Sequence, residues 1–245
     1  MLLFLKLYLA HLIADFILQP NWIARYKLKI PRLALHSLIH LVTALIVINT
    51  ALTRKILLIL FLLAFVHAVS DYIKARFTRD EWLAFTADQF VHLSTIILAC
   101  IWLSTDPSGN ARKIFQMLDG SQKLYLYLCV YVAVTFGGGY FVQKVTKFFM
   151  LQIDQSLAPE KPGLPSAGKY IGWLERSLVL TFIVAGYPDG VGLLLAAKAL
   201  ARYPEIKTDT KGHFAEYFLI GTLTSVSLAL AAGFILMKIK VRITP

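Results

Sequence analysis

The sequence predicts an all-α fold, a polytopic transmembrane bundle of about seven or eight helices. Hydrophobic residues make up 58% of the 245 residues and charged residues only 16%, with a mean hydropathy of +0.66. Soluble domains are roughly 45–50% apolar and about 25% charged. The charge is also lopsided, with 25 Lys and Arg against 14 Asp and Glu and a net charge of +11. In so apolar a chain, this excess indicates cytoplasmic loops and lipid headgroups rather than nucleic acid.

Eight apolar runs, bounded by charge, proline or glycine, are the predicted helices. The first covers 2–18 and ends at Gln19-Pro20. It lacks the basic start and the small-residue cleavage site of a signal peptide, so we expect this helix to remain in the mature protein. The others are 33–52, 56–73, 82–103, 124–142, 170–185, a short run at 191–201, and 214–237. Polar residues at 104–123 and prolines at 154–166 predict loops.

The short loops predict the orientation in the membrane. Seven basic residues follow the first and third runs, against five on the opposite side. This bias places those two loops in the cytoplasm and the N-terminus outside. Whether 191–201 crosses fully is left open, and so is the side of the C-terminus. The predicted location is the inner (cytoplasmic) membrane, with the lipid bilayer as a partner and a homo-oligomer left open.

Ionisable residues within the first four runs form pairs with a regular spacing. The pairs are His11 with Asp15, His36 with His40, His67 with Asp71, and Asp88 with His92. Residues four positions apart share a helix face. Each pair lies near the same loop-side end of its run, so all eight lie within roughly 12 Å of one membrane face. The pattern predicts an internal duplication of two helical hairpins in a domain covering 1–104.

These eight side chains indicate a metal site. Ionisable residues inside a membrane cost free energy, so their presence there indicates a function. Imidazoles and carboxylates suit Zn, Mn, Fe and Ni, and eight of them on four helices resemble the di-metal sites of helical bundles. We expect one or two divalent ions, with zinc favoured over manganese or iron. The alternative is interhelical hydrogen bonding, worth about 0.6 kcal/mol on average. His40 and Gln89 are alternatively expected to orient the ligands.

A second cluster is predicted in the C-terminal domain, 105–245. Lys198 and Arg202 are four positions apart, and two cations on one helix face can bind an anion such as phosphate. With 191–201 spanning, they reach the layer of the metal ligands. The predicted substrate-binding residues are Glu175, Arg176, Lys198, Arg202 and Tyr217. The alternative is that the cations extend to headgroups and that Glu175 pairs with one of them.

Several segments resemble a known family. HLIADFILQ, ALHSLIH, HAVSDYIKARF and DQFVH resemble the uncharacterised bacterial membrane family called domain of unknown function 3307. IGWLERSLVL, LLAAKALARY and AEYFLIGTL resemble the C-terminal extension of many members. The resemblance implies a membrane protein and no particular activity. The His/Asp pattern is also loosely similar to that of membrane-bound metal-dependent hydrolases. The two hairpins differ, since Asp88 stands where the first hairpin has His36.

Three functions fit these patterns. The first is a metal-dependent hydrolase acting on a phosphorylated or amphiphilic substrate at the cytoplasmic face, with Asp15, Asp71 or Asp88 as catalytic base. The second is a divalent metal transporter, because HxxxD on two helices resembles the zinc site of cation diffusion facilitators. The third is a di-iron lipid oxidase, although the paired adjacent histidines of membrane desaturases are missing. An anionic small molecule or lipid is the expected substrate of the hydrolase.

Overall fold

The computed structural model describes residues 1–24, 28–48, 52–77, 82–104, 119–153, 167–209 and 213–243. Over these ranges the chain is helical apart from short connections, and the predicted all-α class is confirmed. Among the described residues, five helices are long and apolar enough to cross a membrane. They are Ile30–Ile48, Arg54–Phe77, Trp82–Leu103, Gln122–Met150 and His213–Ile239. The predicted loop 154–166 and most of the predicted loop 104–123 lie outside the described ranges.

The chain divides into two compact units, Met1–Val132 and Ala133–Pro245. The helices of the first unit are α1 (Leu2–Phe16), α2 (Asn21–Ala24), α3 (Ile30–Ile48), α4 (Arg54–Phe77), α5 (Trp82–Ser104) and α6 (Asp119–Val132). Four of these helices form a closed ring, because α1 packs against α3 and α5, while α4 packs against the same two helices. This ring brings the four predicted ligand pairs to one centre.

Helix α1 lies inside the first unit rather than on its surface. Most of its side chains are buried, from Leu2 to Phe16, as expected for a helix that is apolar on all sides. At 1.5 Å per residue, its 15 residues rise about 22 Å, which is less than the ~30 Å thickness of the hydrocarbon core. The first predicted run is therefore a helix, but a shorter one than the five candidate spans.

Helix α6 packs along α1 and extends the first unit beyond the expected boundary at residue 104. The Cys129 thiol donates a hydrogen bond to the backbone carbonyl of Leu5 at 3.3 Å. The Lys6 ammonium lies 5.4 Å from the centre of the Tyr125 ring and donates to the Ile48 carbonyl at 2.7 Å. These contacts join α6 to the bundle, so the compact unit ends at Val132.

Apolar side chains fill one end of the four-helix ring. They come from the start of α1, the end of α3, the start of α4 and the end of α5. The nine buried residues, here called the apolar half, are Leu3, Leu7, Ile48, Ile56, Ile59, Leu60, Ile96, Cys100 and Leu103. Each of these helices carries its ligand pair towards its other terminus. The ring therefore has an apolar half and a polar half.

The second unit begins with a π-helical turn, Ala133–Gly137, which continues directly into α7 (Gly138–Ile153). The predicted run 124–142 is thus part of a longer helical stretch. The remaining helices are α8 (Ala167–Ala185), α9 (Asp189–Ala201), α10 (Tyr203–Thr208) and α11 (His213–Ile243). Helix α11 packs against α7 and α8, and α9 packs against α8. A Cβ atom on Gly138 would lie 2.6 Å from Leu228 Cδ2, so this glycine permits close helix packing.

Candidate metal centre

The structure brings the eight predicted ligand side chains together in the polar half of the ring, and all eight are between 0% and 8% exposed. Two come from the last turns of α1, two from the first turns of α3, two from the last turns of α4 and two from the first turns of α5. We call this set the His/Asp cluster: His11, Asp15, His36, His40, His67, Asp71, Asp88 and His92. The spacing of four holds each pair on the inner face of its helix.

Asp15 lies at the centre of the largest group of ligand atoms. Its Oδ1 atom is 3.0 Å from His40 Nε2, 3.1 Å from His36 Nε2 and 3.4 Å from His67 Nε2. Its Oδ2 atom is 3.6 Å from His11 Nε2. Four residues, called the Asp15 group, each offer one ligand atom within 4.8 Å of the others: His11, Asp15, His40 and His67.

A second group lies on the side of α5. Asp88 Oδ1 is 3.2 Å from His92 Nε2, and both residues group with Asp71 within the same 4.8 Å limit. We call Asp71, Asp88 and His92 the Asp88 group. A third group within the same limit, His36, His67 and Asp71, lies between these two and shares His67 with the Asp15 group. In it, His36 Nε2 and His67 Nε2 lie 3.1 Å apart, and Asp71 Oδ2 lies 3.4 Å from His67 Nε2. The cluster is therefore continuous from Asp15 to Asp88.

The spacing of these atoms fits the donor set of a metal. A neutral imidazole donates through one ring nitrogen only, yet several Nε2 atoms converge on each other and on the same carboxylate oxygen. Ligand atoms about 2.0–2.1 Å from a tetrahedral zinc ion lie about 3.4 Å apart. The separations around Asp15 Oδ1, 3.0 to 3.4 Å, are close to that value. The structure thus contains clusters that could hold a metal ion.

Polar side chains outside the predicted pairs surround the cluster. Gln89 contacts His11 Nε2 through Oε1 and donates to Asp15 Oδ2 through Nε2, both at 3.4 Å. Gln19 Nε2 lies 3.1 Å from His36 Nε2. The orienting role expected of Gln89 fits these contacts, whereas at Gln19 the sequence predicts only the end of a helix. Both amides lie where groups that orient metal ligands are usually found.

Lys74 is another residue at the cluster that lies outside the predicted set. The sequence predicts a cytoplasmic loop at this position, but α4 continues to Phe77 and holds Lys74 three positions after Asp71. Its ammonium contacts Asp88 Oδ2 and lies 3.8 Å from Asp71 Oδ1, with the side chain 28% exposed. Ser70 also donates to Asp88, at 3.3 Å. The position of Lys74, three residues after Asp71 on the same helix, was the feature of the sequence that could have identified it as part of the site.

A cavity of about 40 Å³ lies beside the cluster within the first unit. One part of its wall is formed by imidazoles, and the rest is mainly apolar, with three alanines that leave room. The lining residues are Leu7, Ala10, His11, His40, Ala44, Leu60, Leu63, Ala64, His67, His92, Thr95 and Ile96. The cavity therefore joins the histidines to the apolar half.

Two of the predicted substrate-binding residues pair with each other in the second unit, and a third pairs with a glutamate outside the set. Glu175 pairs with Lys198, and Arg202 donates to Glu205 at 2.9 Å. Glu175, Arg176 and Lys198 line one small cavity of about 10 Å³, whose lining does not include Arg202 or Tyr217. The substrate-binding role of these residues stays a prediction.

Arg176 is buried, with 4% of its surface exposed, at the π-helical turn. Its Nη2 and Nε atoms donate to the Thr135 carbonyl at 2.8 and 3.2 Å, and Nη1 donates to Ser225 Oγ at 3.2 Å. A π-helical turn interrupts the regular backbone hydrogen bonding of an α-helix. The Arg176 side chain therefore supplies donors to the backbone at this interruption.

Fold and site together define the class of protein: an α-helical membrane protein whose first unit encloses a buried His/Asp cluster. Residues 3–135 match the family described as Protein of unknown function (DUF3307), which is more than half of the chain. The chain belongs to this family. No curated protein and no solved structure matches the chain. The family match includes all four ligand pairs, and the family description assigns no activity.

Proposed function

We propose that the first unit is a membrane-embedded metal centre and that the protein is a metal-dependent hydrolase. Its substrate would be phosphorylated or amphiphilic and would be bound at the cytoplasmic face of the inner membrane. The observation that carries the proposal is a cavity of about 40 Å³, large enough for a few water molecules, whose wall includes four imidazoles of the His/Asp cluster. A catalytic metal needs a position open to water or substrate.

Burial supports a metal over plain hydrogen bonding between helices. Three carboxylates and five imidazoles are at most 8% exposed, and ionised groups removed from water require compensating charge. Transmembrane helices can be held together by far fewer polar contacts, each worth about 0.6 kcal/mol. One or two divalent ions, with zinc preferred over manganese or iron, would supply the charge. The ions would also give a common binding partner to the Nε2 atoms that converge in the cluster.

The apolar half supports a resident ion over a transported one. A metal ion that crossed the bundle along its axis would leave the cluster and meet nine buried apolar side chains. Charged groups are costly in such surroundings. Leu7, Leu60 and Ile96 line both the cavity and the apolar half, so an amphiphilic substrate at the cavity would meet apolar side chains beside the histidines.

The side chains have distinct roles in the proposed reaction. A bound divalent ion would supply a water molecule of lowered pKa. Among the three predicted catalytic carboxylates, Asp88 reaches the cavity through His92, which lines it and lies 3.2 Å away. Asp88 can therefore exchange a proton with His92 at Nε2. Asp15 contacts four imidazoles and Asp71 two, so Asp15 would hold the metal and Asp71 would orient its two histidines.

Metal content tests the proposal. His11→Ala and His67→Ala remove imidazoles of the Asp15 group, and we expect each to lose at least about tenfold in zinc affinity. The matched control is His213→Ala, which removes the histidine outside the His/Asp cluster and should retain the wild-type content. Elemental analysis of purified full-length protein in detergent gives the answer. Wild-type content in both cluster variants would contradict the metal centre.

Activity separates the hydrolase from other metal proteins. The purified protein, loaded with zinc in mixed micelles, is incubated with a phosphorylated lipid, and the released phosphate is measured. We expect release that disappears after chelation and returns with zinc, and that His213→Ala retains. Metal binding without turnover of any phosphorylated amphiphile would contradict the hydrolase, while the proposed metal centre would still stand.

A further inference from the structure

We infer that the His/Asp cluster holds a single divalent ion, bound in the Asp15 group, and that the Lys74 ammonium occupies the position of a second cation in the Asp88 group. This inference rests on the proposed metal binding. It decides between the one-ion and two-ion sites that the sequence leaves open.

The contacts of the two aspartates differ in kind. Asp15 is approached by imidazole nitrogens, at 3.0 to 3.6 Å, and by the Gln89 amide. Asp88 is approached by His92, by the Ser70 hydroxyl and by the Lys74 ammonium. Lys74 thus places a positive charge beside two of the three residues of the Asp88 group, Asp71 and Asp88. A metal ion in the same position would have to displace it.

Charge balance supports one ion. The cluster contains three buried carboxylates and five imidazoles, and metal-binding imidazoles are neutral. Lys74 and one divalent ion together carry three positive charges, which match the three carboxylates. A second divalent ion would leave two uncompensated positive charges if Lys74 stayed in place, and one if it displaced Lys74, in a buried, apolar bundle where unpaired charge is costly. Lys74 therefore takes the place of the second ion both in position and in charge.

Ion stoichiometry tests the inference. The full-length protein is stripped with a chelator, saturated with zinc, separated from free ion, and its zinc content measured per chain. We expect one ion in the wild type and two in Lys74→Met, because the neutral side chain vacates the Asp88 group. Lys55→Met is the matched control, since Lys55 lies near the other end of α4 beside Trp102. It should bind one ion.

Asp88→Asn provides an independent measurement that does not depend on the folding of Lys74→Met. It removes the negative charge that holds Lys74 and weakens only the Asp88 group, so we expect one ion to remain. Two ions in the wild type, one ion in folded Lys74→Met, or loss of the ion in Asp88→Asn would each overturn the inference. A wild type that binds no zinc would instead contradict the proposed metal centre.

Discussion

At the scale of single residues, the cluster is organised around a carboxylate and the groups that hold it. Asp15 contacts four imidazoles, and Gln89 contacts both Asp15 and His11 across the helix interface. An amide that donates to a ligand carboxylate fixes the orientation of that carboxylate and adds to metal affinity. Gln89 is therefore part of the site without being a ligand.

This role of Gln89 predicts a selective change in affinity. Gln89→Ala should weaken zinc binding by roughly 10–100-fold, with the number of ions at saturation unchanged, because every ligand is still present. The measurement is a competitive titration against a chromogenic chelator. Gln143→Ala, at an exposed position in α7, is the control and should bind as the wild type does. Lower saturation in Gln89→Ala would mean that Gln89 is a ligand itself.

The eight cluster residues could be predicted because the spacing of four on a helix is a local property of the sequence. The partners Gln19 and Lys74 could not be predicted in the same way. Gln19 contacts His36 on α3, and Lys74 contacts Asp88 on α5, so both contacts depend on which helices are neighbours. Hydropathy alone also placed Lys74 in a loop, since a charged residue ends an apolar run although the helix continues.

At the scale of helices, the π-helical turn and Arg176 form one packing unit. The sequence can predict close helix packing at Gly137–Gly139, because small residues let helices approach. It cannot predict the π-helical turn, because this turn accompanies hydrogen bonds to the Thr135 carbonyl from Arg176, which is 41 positions away. Gly139 and Gly172 leave the space that the guanidinium occupies, because a Cβ atom there would lie 2.8 and 3.1 Å from Nη2 and Nη1.

This packing predicts that Gly139→Ala destabilises the protein. The added methyl group would meet Arg176 Nη2, whose hydrogen bond to Thr135 limits its movement. We expect a loss of about 1–3 kcal/mol, as for overpacking in a core, measured as a lower melting temperature in detergent. Gly192→Ala on α9 is the control, because its Cβ atom would meet nothing within 4 Å. An unchanged or higher melting temperature for Gly139→Ala would contradict the tight fit around Arg176.

At the scale of the whole molecule, the sequence predicted the all-α class and the membrane character from composition and apolar runs alone. It could not predict that α1 would be enclosed by the first unit or that α6 would join it. Both results come from packing between helices that are distant in sequence, such as the Cys129 contact with Leu5. The division of the chain at Val132 follows from the same contacts, whereas the expected division at residue 104 follows the end of the second predicted hairpin.

The two halves of the bundle also predict that the protein does not transport metal. The His/Asp cluster lies in the polar half, and an ion that leaves it along the bundle axis meets the apolar half, where Leu3, Ile59 and Leu103 are at most 5% exposed. Proteoliposomes that contain the protein and a zinc-sensitive dye should therefore show the same slow zinc entry as protein-free liposomes. An ionophore added at the end verifies that the dye responds. Saturable zinc entry that His67→Ala removes and His213→Ala retains would contradict this prediction and favour the carrier. Absence of entry, together with zinc bound to the purified protein, favours a resident ion. A transported ion must reach the site from one side of the membrane and leave it on the other.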